Sequence, residues 1–440
     1  MYNTIRNLVS TLSPAAVVGF FGVGKTRSVI DVAMSRPGPI VVISEPLRIL
    51  RDSVATMYRA LSGRDPPVLR AHDEVCQDLS ANLAKGYSYY EALSIHLRSG
   101  SCSYIDHVRM MASSAYASGV LVTTHRLSFI AKYVVEAISR SPVYLVVDEA
   151  EDFVLKALEP LTPGEVEPYK HDPIIWRRIS RIFEKVGGKY YVKAGHALAA
   201  MRYMLLSATL PPSLKTILSE VGGYDDYTYT TTPEREDIFI IYSGVIPWLE
   251  MRSRLKKIAS IILGVCSPPT QAGGICAVVS KNKEATDALA SELRRFGMPV
   301  ISDQDPVVMG VPQGYSGVVI ITVGGRFYRG VSLPEADVVV SMFQRFYRDP
   351  EHPALTPLSA GGLDTAYSYE LAQASNLQAS YRCNRSGRKR HVMVFLDGRY
   401  HDSFSTYYGI DLKMGRISSV LQIVPEGEIA SIPKLVERHL

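Results

Sequence analysis

At 440 residues the chain exceeds what one hydrophobic core usually fills, so two domains of about 200 residues are the default reading. An apolar share of 47% without low-complexity tracts excludes a disordered protein, and a net charge of +5 permits a nucleic-acid partner without demanding one. No run of about 18 uncharged apolar residues and no charged-then-apolar leader occurs, so neither a membrane span nor a secretory signal is expected, and the expected compartment is cytoplasmic.

The first expected strand, Ala15 to Gly19, runs into the stretch GFFGVGKT, Gly19 to Thr26. That spacing fits G-x-x-x-x-G-K-[ST], in which backbone N–H groups wrap phosphates, the lysine reaches the β/γ oxygens and the threonine hydroxyl holds magnesium. Gly19, Gly22 and Gly24 are the glycines of this loop, Lys25 its catalytic cation and Thr26 its metal-binding hydroxyl, which makes ATP and Mg2+ the expected cofactors. From Lys25 to Ala33 apolar side chains recur at near-helical spacing, so the phosphates would meet a helix N-terminus. Further β-branched runs follow at Pro39 to Ser44, Gly119 to Thr123, Val143 to Val147 and Tyr203 to Leu206. They lie too far apart for hairpins and predict a parallel sheet with helical crossovers on both faces.

The polar, proline-bearing stretch TTTPERED, Thr230 to Asp237, predicts a linker. The expected domains are therefore 1–232, with a helical insertion at about 55–115, and 233–440. A second series of runs at Asp237 to Tyr242, Ile275 to Val279, Val318 to Ile321, Ala336 to Ser341 and His391 to Leu396 predicts another α/β domain. Within it Ala285, Leu289, Leu293 and Phe296 keep a helical period over Lys283 to Phe296. The fold class is α/β, two domains in tandem, only the first with a phosphate loop.

A phosphate loop needs an acidic partner on a neighbouring strand, and VYLVVDEAED supplies one at the end of a buried run. Asp148 would hold magnesium through water and Glu149 would activate the attacking water. In LLSATLPP, Ser207 and Thr209 stand at another strand end, where small hydroxyls can sense the phosphate state and couple it to the second domain. Candidate strand-binding residues lie in loops after strands: Arg48, with Arg51 beside it, then Thr123, Thr124 and His125, then Ser280 and Lys281, and Arg326. Hydroxyls and scattered cations suit phosphate contacts that position a strand without reading its sequence.

The set GFFGVGKT, DEAE and SAT, followed by QASYRCNR in the second domain, resembles the superfamily 2 helicases and more closely their XPD/DinG branch. SCSYIDHVRMMASSAYASGVLVTTHRL, GGICAVVSKNKEATDAL, GGRFYRGVSLPEAD and VMVFLDGRY are similar to that branch as well, over nearly the whole chain. The resemblance implies two RecA-like domains and an ATP-driven helicase or translocase on single-stranded nucleic acid, DNA ahead of RNA, moving 5′ to 3′. It also implies protein partners in a replication or repair complex. Gln378, Arg382 and Arg385 would occupy the catalytic arginine motif, and Gly330 a nucleotide-binding position. An ATP-gated nucleic-acid-binding or scaffold subunit without strand separation is the alternative.

The chain also departs from that pattern. Tyr381 stands where the arginine motif usually has glycine, and Arg329 and Ser332 replace acidic residues. The branch often carries a four-cysteine iron–sulfur cluster ahead of the acidic box, yet only Cys76 and Cys102 precede that box, so no cluster is expected. His72, His96 and His107 stand near them at spacings that match no standard zinc pattern, and ordinary packing is the expectation. With Cys266, Cys276 and Cys383 the five thiols are widely scattered and predict no disulfide framework.

Overall fold

The computed structural model describes residues 1–19, 24–35, 38–99, 103–157, 159–193, 202–221, 225–229, 236–244, 248–305, 310–323, 325, 327–328, 333–342, 363–383, 390–400 and 418–440. These fall into two compact units, the first holding the described residues up to Tyr229 together with 363–366, the second the described residues from Glu236 on apart from those four.

In the first unit the valine- and isoleucine-rich runs become β1 (Ala15–Gly19), β2 (Ile40–Glu45), β3 (Val120–Thr124) and β4 (Val143–Val147). A small antiparallel pair follows, β5 (Phe183–Val186) and β6 (Lys189–Val192), and then β7 (Tyr203–Ser207) and β8 (Asp225–Tyr229). The main sheet runs β3-β2-β4-β7-β1-β8, every neighbouring pair parallel. Alternate residues on one face, among them Val17, Ile43, Val122, Val146 and Leu206, pack with Leu8 and Ile30 of two helices into one core.

Burial on both faces explains why these strands read as unbroken apolar runs. The pair β5–β6 is a feature the sequence reading lacks. Its two-residue turn is Gly187-Gly188, both at positive φ (54° and 80°), the conformation of a type I′ hairpin. β8, Asp-Asp-Tyr-Thr-Tyr, has no apolar run because it is an edge strand with one paired side.

In the second unit β9 (Glu236–Tyr242), β10 (Ile275–Ser280), β11 (Val300–Ser302), β12 (Gly317–Thr322), β13 (Val338–Ser341), β14 (Arg390–Phe395) and β15 (Ser418–Val424) form a seven-stranded parallel sheet, order β11-β12-β10-β13-β14-β9-β15. Ile238, Val278, Ile320 and Val340 line one buried face, and Ala277, Val279, Val319 and Val339 line the other. The helix Lys283–Arg295 buries Ala285, Leu289 and Leu293 as its period predicts, while Phe296 sits past its end and is 49% exposed. The expectation of uncross-linked thiols is corrected: Cys266 and Cys276 are joined, because a helix packed on β10 brings their Cα atoms to 5.3 Å. Cys76 is also held in a disulfide, Cys383 is a buried thiol outside any disulfide, and Cys102 lies outside the described residues.

The segment between β2 and β3 is helical, over Arg48–Ser62, His72–Val75, Gln77–Ala84, Tyr89–Ser99 and Tyr104–Ser118. It is sewn to the sheet by backbone: Val122 N–H donates to Pro67 O (3.0 Å) and Leu69 N–H to Val122 O (2.9 Å), which covers the β3 edge. The fully buried Arg51 guanidinium closes the segment by gripping the Glu74 carboxylate with both terminal nitrogens, at 2.8 and 2.7 Å. That grip and the backbone N–H of Ala71 hold the Glu74 carboxyl below its usual range against the opposing effect of burial.

Removing Glu74 leaves the fully buried Arg51 guanidinium to the half-exposed Asp52 carboxylate at 2.9 Å, so Glu74→Ala should destabilise the first unit by about 3 kcal/mol. Urea unfolding followed by far-UV circular dichroism would read this as an earlier first transition. An unchanged midpoint would show the pair to be dispensable.

Candidate functional site

Three of the sequence motifs stand on adjacent strands. β1 carries the glycine loop, β7 carries Ser207, and β4 carries the acidic box, in the spatial order β4-β7-β1. Parallel strands lie about 4.8 Å apart, so β1 and β4 are separated by about one strand's width of sheet, and the groups above their C-terminal ends can meet across β7. Gly19 ends β1, buried, and Gly24 caps the helix Lys25–Met34 in the left-handed region at φ 82°, ψ 28°, where a side chain would be strained. Gly22 lies outside the described residues.

Lys25 Nζ donates to Gly19 O at 2.7 Å, folding the lysine back along its own loop. Thr26 Oγ1 donates to Asp148 Oδ2 in a short hydrogen bond that joins the loop helix to the acidic box, 122 residues apart in the chain. The other Asp148 oxygen accepts the Glu149 N–H at 3.0 Å, and the Asp148 N–H donates to Ser44 O at 3.0 Å. Burial, and then the neighbouring Glu149 charge, push the Asp148 carboxyl up to about 6, against the opposing pull of Thr26 and Lys25. A buried acid beside a hydroxyl and a lysine is a site whose charge a divalent cation would complete. The residues present therefore fit a nucleotide-borne Mg2+ held by Thr26 and Asp148, with ATP phosphates over the N-terminus of the Lys25–Met34 helix.

Glu149 is a non-glycine residue in the left-handed region (φ 49°, ψ 55°), a conformation costing of order 1 kcal/mol that persists only where the surroundings impose it. It turns the chain so that Asp148 and Glu151 do not follow one line. Glu151, 1% exposed, accepts hydrogen bonds from Ser207 Oγ and from Thr209 Oγ1 (3.0 Å), and Ser207 Oγ in turn accepts the Thr209 N–H at 2.8 Å. The third acid of the box is thus the physical link between it and the SAT stretch. No role for Glu151 follows from the sequence motif beyond its place in it; its burial and its two hydroxyl donors emerge only in the fold.

The strand-binding candidates divide. Thr123, His125 and Ser280 are fully buried, which corrects the expectation that their side chains face a strand. Thr123 Oγ1 donates to Leu69 O (3.3 Å), and His125 Nδ1 lies 2.8 Å from Ser44 Oγ, its ring edge-on to Phe153 and its Nε2 3.5 Å from Glu149 O. His125 therefore buttresses the acidic box. Arg48 is half exposed but forked onto Asp73 at 2.8 Å through both carboxylate oxygens, and Thr124 and Lys281 are half-buried at strand ends. Arg326 lies outside the described residues.

In the second unit Gln378 Oε1 accepts from Tyr328 OH (3.0 Å), Arg382 Nε donates to Phe327 O (3.4 Å), and Cys383 O accepts the Ala336 N–H (3.0 Å). These bonds tie the Gln–Arg element to Phe327, Tyr328 and Ala336. Tyr381, where glycine was expected, is 1% exposed and donates to Asp237 Oδ2 at 2.9 Å, so it fills core space and satisfies a fully buried carboxylate at the start of β9. Arg385 and Gly330 lie outside the described residues.

No family model and no curated protein matches the chain. Among solved structures it is similar to an XPD helicase at 14% identity and TM-score 0.57, over 96% of this chain and 98% of that one. It is also similar to S. tokodaii Xpd4 (14%, 0.55, 96% and 98%) and to S. cerevisiae Dbp5 bound to RNA and ADP BeF3 (13%, 0.51, 100% and 93%). The fold, two RecA-like domains each built on a parallel sheet, is one the chain shares with these XPD helicase and Dbp5 structures. No helix among the described residues is long and apolar enough to cross a membrane.

Since the Glu149 charge raises the Asp148 carboxyl second only to burial, Glu149→Gln should move the Asp148 titration down from about 6. Carbon-13 NMR of the side-chain carboxyl would follow it, and an unmoved midpoint would show that burial alone sets the value.

Proposed function

We propose that the protein is an ATP-driven translocase or helicase on single-stranded nucleic acid, DNA in preference to RNA, moving 5′ to 3′. The observation that carries this reading is the Thr26–Asp148 hydrogen bond, formed beside Lys25 at the head of the helix and linked onward through Glu151 to Ser207 and Thr209. In a superfamily 2 fold this is a phosphate loop, a metal carboxylate and a relay of hydroxyls. Bound Mg2+ would neutralise phosphate charge. Lys25 would hold the β/γ oxygens, Glu149 would orient and deprotonate the attacking water, and Arg382 and Arg385 would stabilise charge that develops on the γ-phosphoryl group. Glu151 would carry the change in phosphate state to the SAT hydroxyls.

XPD helicases and Dbp5 bound to RNA are among the structures it is similar to, which supports nucleic acid as the substrate class. The count of two cysteines ahead of the acidic box does not fit a four-thiolate iron–sulfur cluster, and no step is assigned to one. A second reading, an ATP-gated binding subunit that does not separate strands, draws on Tyr381. A buried tyrosine anchored to Asp237 makes the arginine element stiffer than glycine would.

Steady-state ATP hydrolysis measured alone and with single-stranded DNA, single-stranded RNA and duplex separates these readings. Stimulation by single-stranded DNA is expected, and a rate indifferent to every strand would favour the binding subunit. Lys25→Ala should abolish turnover. Glu149→Gln should bind ATP yet retain less than about a tenth of the rate, as expected for loss of a general base. Arg382→Ala should lower kcat with little change in nucleotide affinity, the mark of an interaction made mainly in the transition state. A wild-type kcat in Arg382→Ala would remove that residue from the mechanism.

A further inference from the structure

The helical segment between β2 and β3 holds a cluster that the proposed ATP chemistry does not use. His72, Cys76 and His96 are 5%, 1% and 3% exposed, and one potential ligand atom from each lies within 4.8 Å of the others. His72 and Cys76 are four apart at the turn of the His72–Val75 helix, where the Cys76 N–H donates to His72 O (3.0 Å), so their side chains share one face. His96 comes from a different helix, Tyr89–Ser99, and its Nε2 stands 3.1 Å from His72 Nε2. Two nitrogens bound to one tetrahedral zinc at bonds of about 2.0–2.1 Å are about 3.3–3.4 Å apart, so the imidazoles already stand at nearly the edge length of that polyhedron.

A second observation points the same way. His96 Nδ1 lies 2.6 Å from Asp78 Oδ2, and with the carboxylate accepting that N–H, the lone pair is left on Nε2, the atom facing His72. A carboxylate behind a histidine is the arrangement that orients a metal-binding imidazole. His72 Nδ1 is buried without a hydrogen-bond partner, while His72 Nε2 faces that His96 lone pair at 3.1 Å, so one proton lies between the two rings where a metal ion would take its place.

We propose that, with Cys76 reduced, His72, Cys76 and His96 bind one zinc ion that clasps the two helices of this segment together. Two imidazoles and a thiolate are the borderline donors zinc prefers, with water at the fourth position. Cys76 is disulfide-bonded in this structure, so the site is conditional on redox state. A dithiol reductant supplies two electrons and two protons to the disulfide and is itself oxidised to a disulfide, and the Cys76 thiol then loses its proton to solvent as the sulfur binds zinc. The sequence reading weighs a mixed-ligand zinc site here and prefers ordinary packing, because the spacing matches no standard pattern and His96 is twenty residues from Cys76; the fold brings them together.

The full chain, reduced with a phosphine or dithiol, loaded with zinc chloride and dialysed, should retain about one zinc per chain by metal analysis. Cobalt(II) in its place should give the absorption of a tetrahedral site with a sulfur-to-metal charge-transfer band. His96→Ala and Cys76→Ser should lose the zinc, and His107→Ala, outside the cluster, should keep it. Oxidised protein should bind none. Folded, reduced wild-type protein without zinc would overturn the proposal, as would equal zinc in the oxidised protein or full retention in Cys76→Ser. Were the variants to unfold, the cobalt spectrum of the wild type would still decide: no charge-transfer band means no thiolate ligand.

Discussion

A carboxylate placed at the buried end of a strand has to be answered, and the answer at Asp148 organises the first unit. Thr26 supplies a hydroxyl from across β7, and the Glu149 amide supplies a second donor. Because Thr26 opens a helix and Asp148 closes a strand, that bond sets the distance between the loop on β1 and the box on β4. Glu149 takes up its unfavourable left-handed backbone so that Glu151 can turn under β7 and collect both hydroxyls of the SAT stretch. His125 then closes the arrangement from the β2–β3 side through Ser44. Each member is held by a neighbour already placed, which is how a site stays preorganised without depending on any ligand.

The second unit follows a different logic. Its polar groups are spent on tying its own segments together: Gln378 to Tyr328, Arg382 to Phe327, Tyr381 to Asp237. The bulky tyrosine at a glycine position is intelligible here, since glycine would leave a cavity beside a fully buried aspartate with one donor fewer.

Much of this architecture was legible in the residues. Buried parallel strands must be apolar on both faces, so ten of them announced themselves as short β-branched runs, and the glycine loop could be read from spacing alone. Edge strands obey no such rule: β8 is polar and aromatic, and β15 leaves Ile423 half exposed, so neither stood out. The Gly187-Gly188 hairpin signal was present but unread. In the site, motif spacing gave Lys25, Thr26 and Asp148, whereas Glu151 as a clamp and His125 as a buttress depend on burial, which no local pattern encodes. Residues at strand ends looked like strand contacts because loops often bind ligands; for Thr123, His125 and Ser280 the hydroxyl or ring instead turned inward.

The strand orders also constrain how the chain can acquire its shape. In each sheet the first strand of the unit is interior and is flanked by late ones: β1 lies between β7 and β8, and β9 between β14 and β15. About 190 residues separate β1 from its nearest partner, and about 150 separate β9 from its own, so both pairings are of long range and slow to form. During synthesis β1 and β9 therefore emerge as bare, valine- and isoleucine-rich segments that must wait for partners. The main sheet of the first unit lacks its last strand until Tyr229 has been made, and that of the second until β15 arrives. Protection of those two segments in the nascent chain is thus a requirement written into the topology.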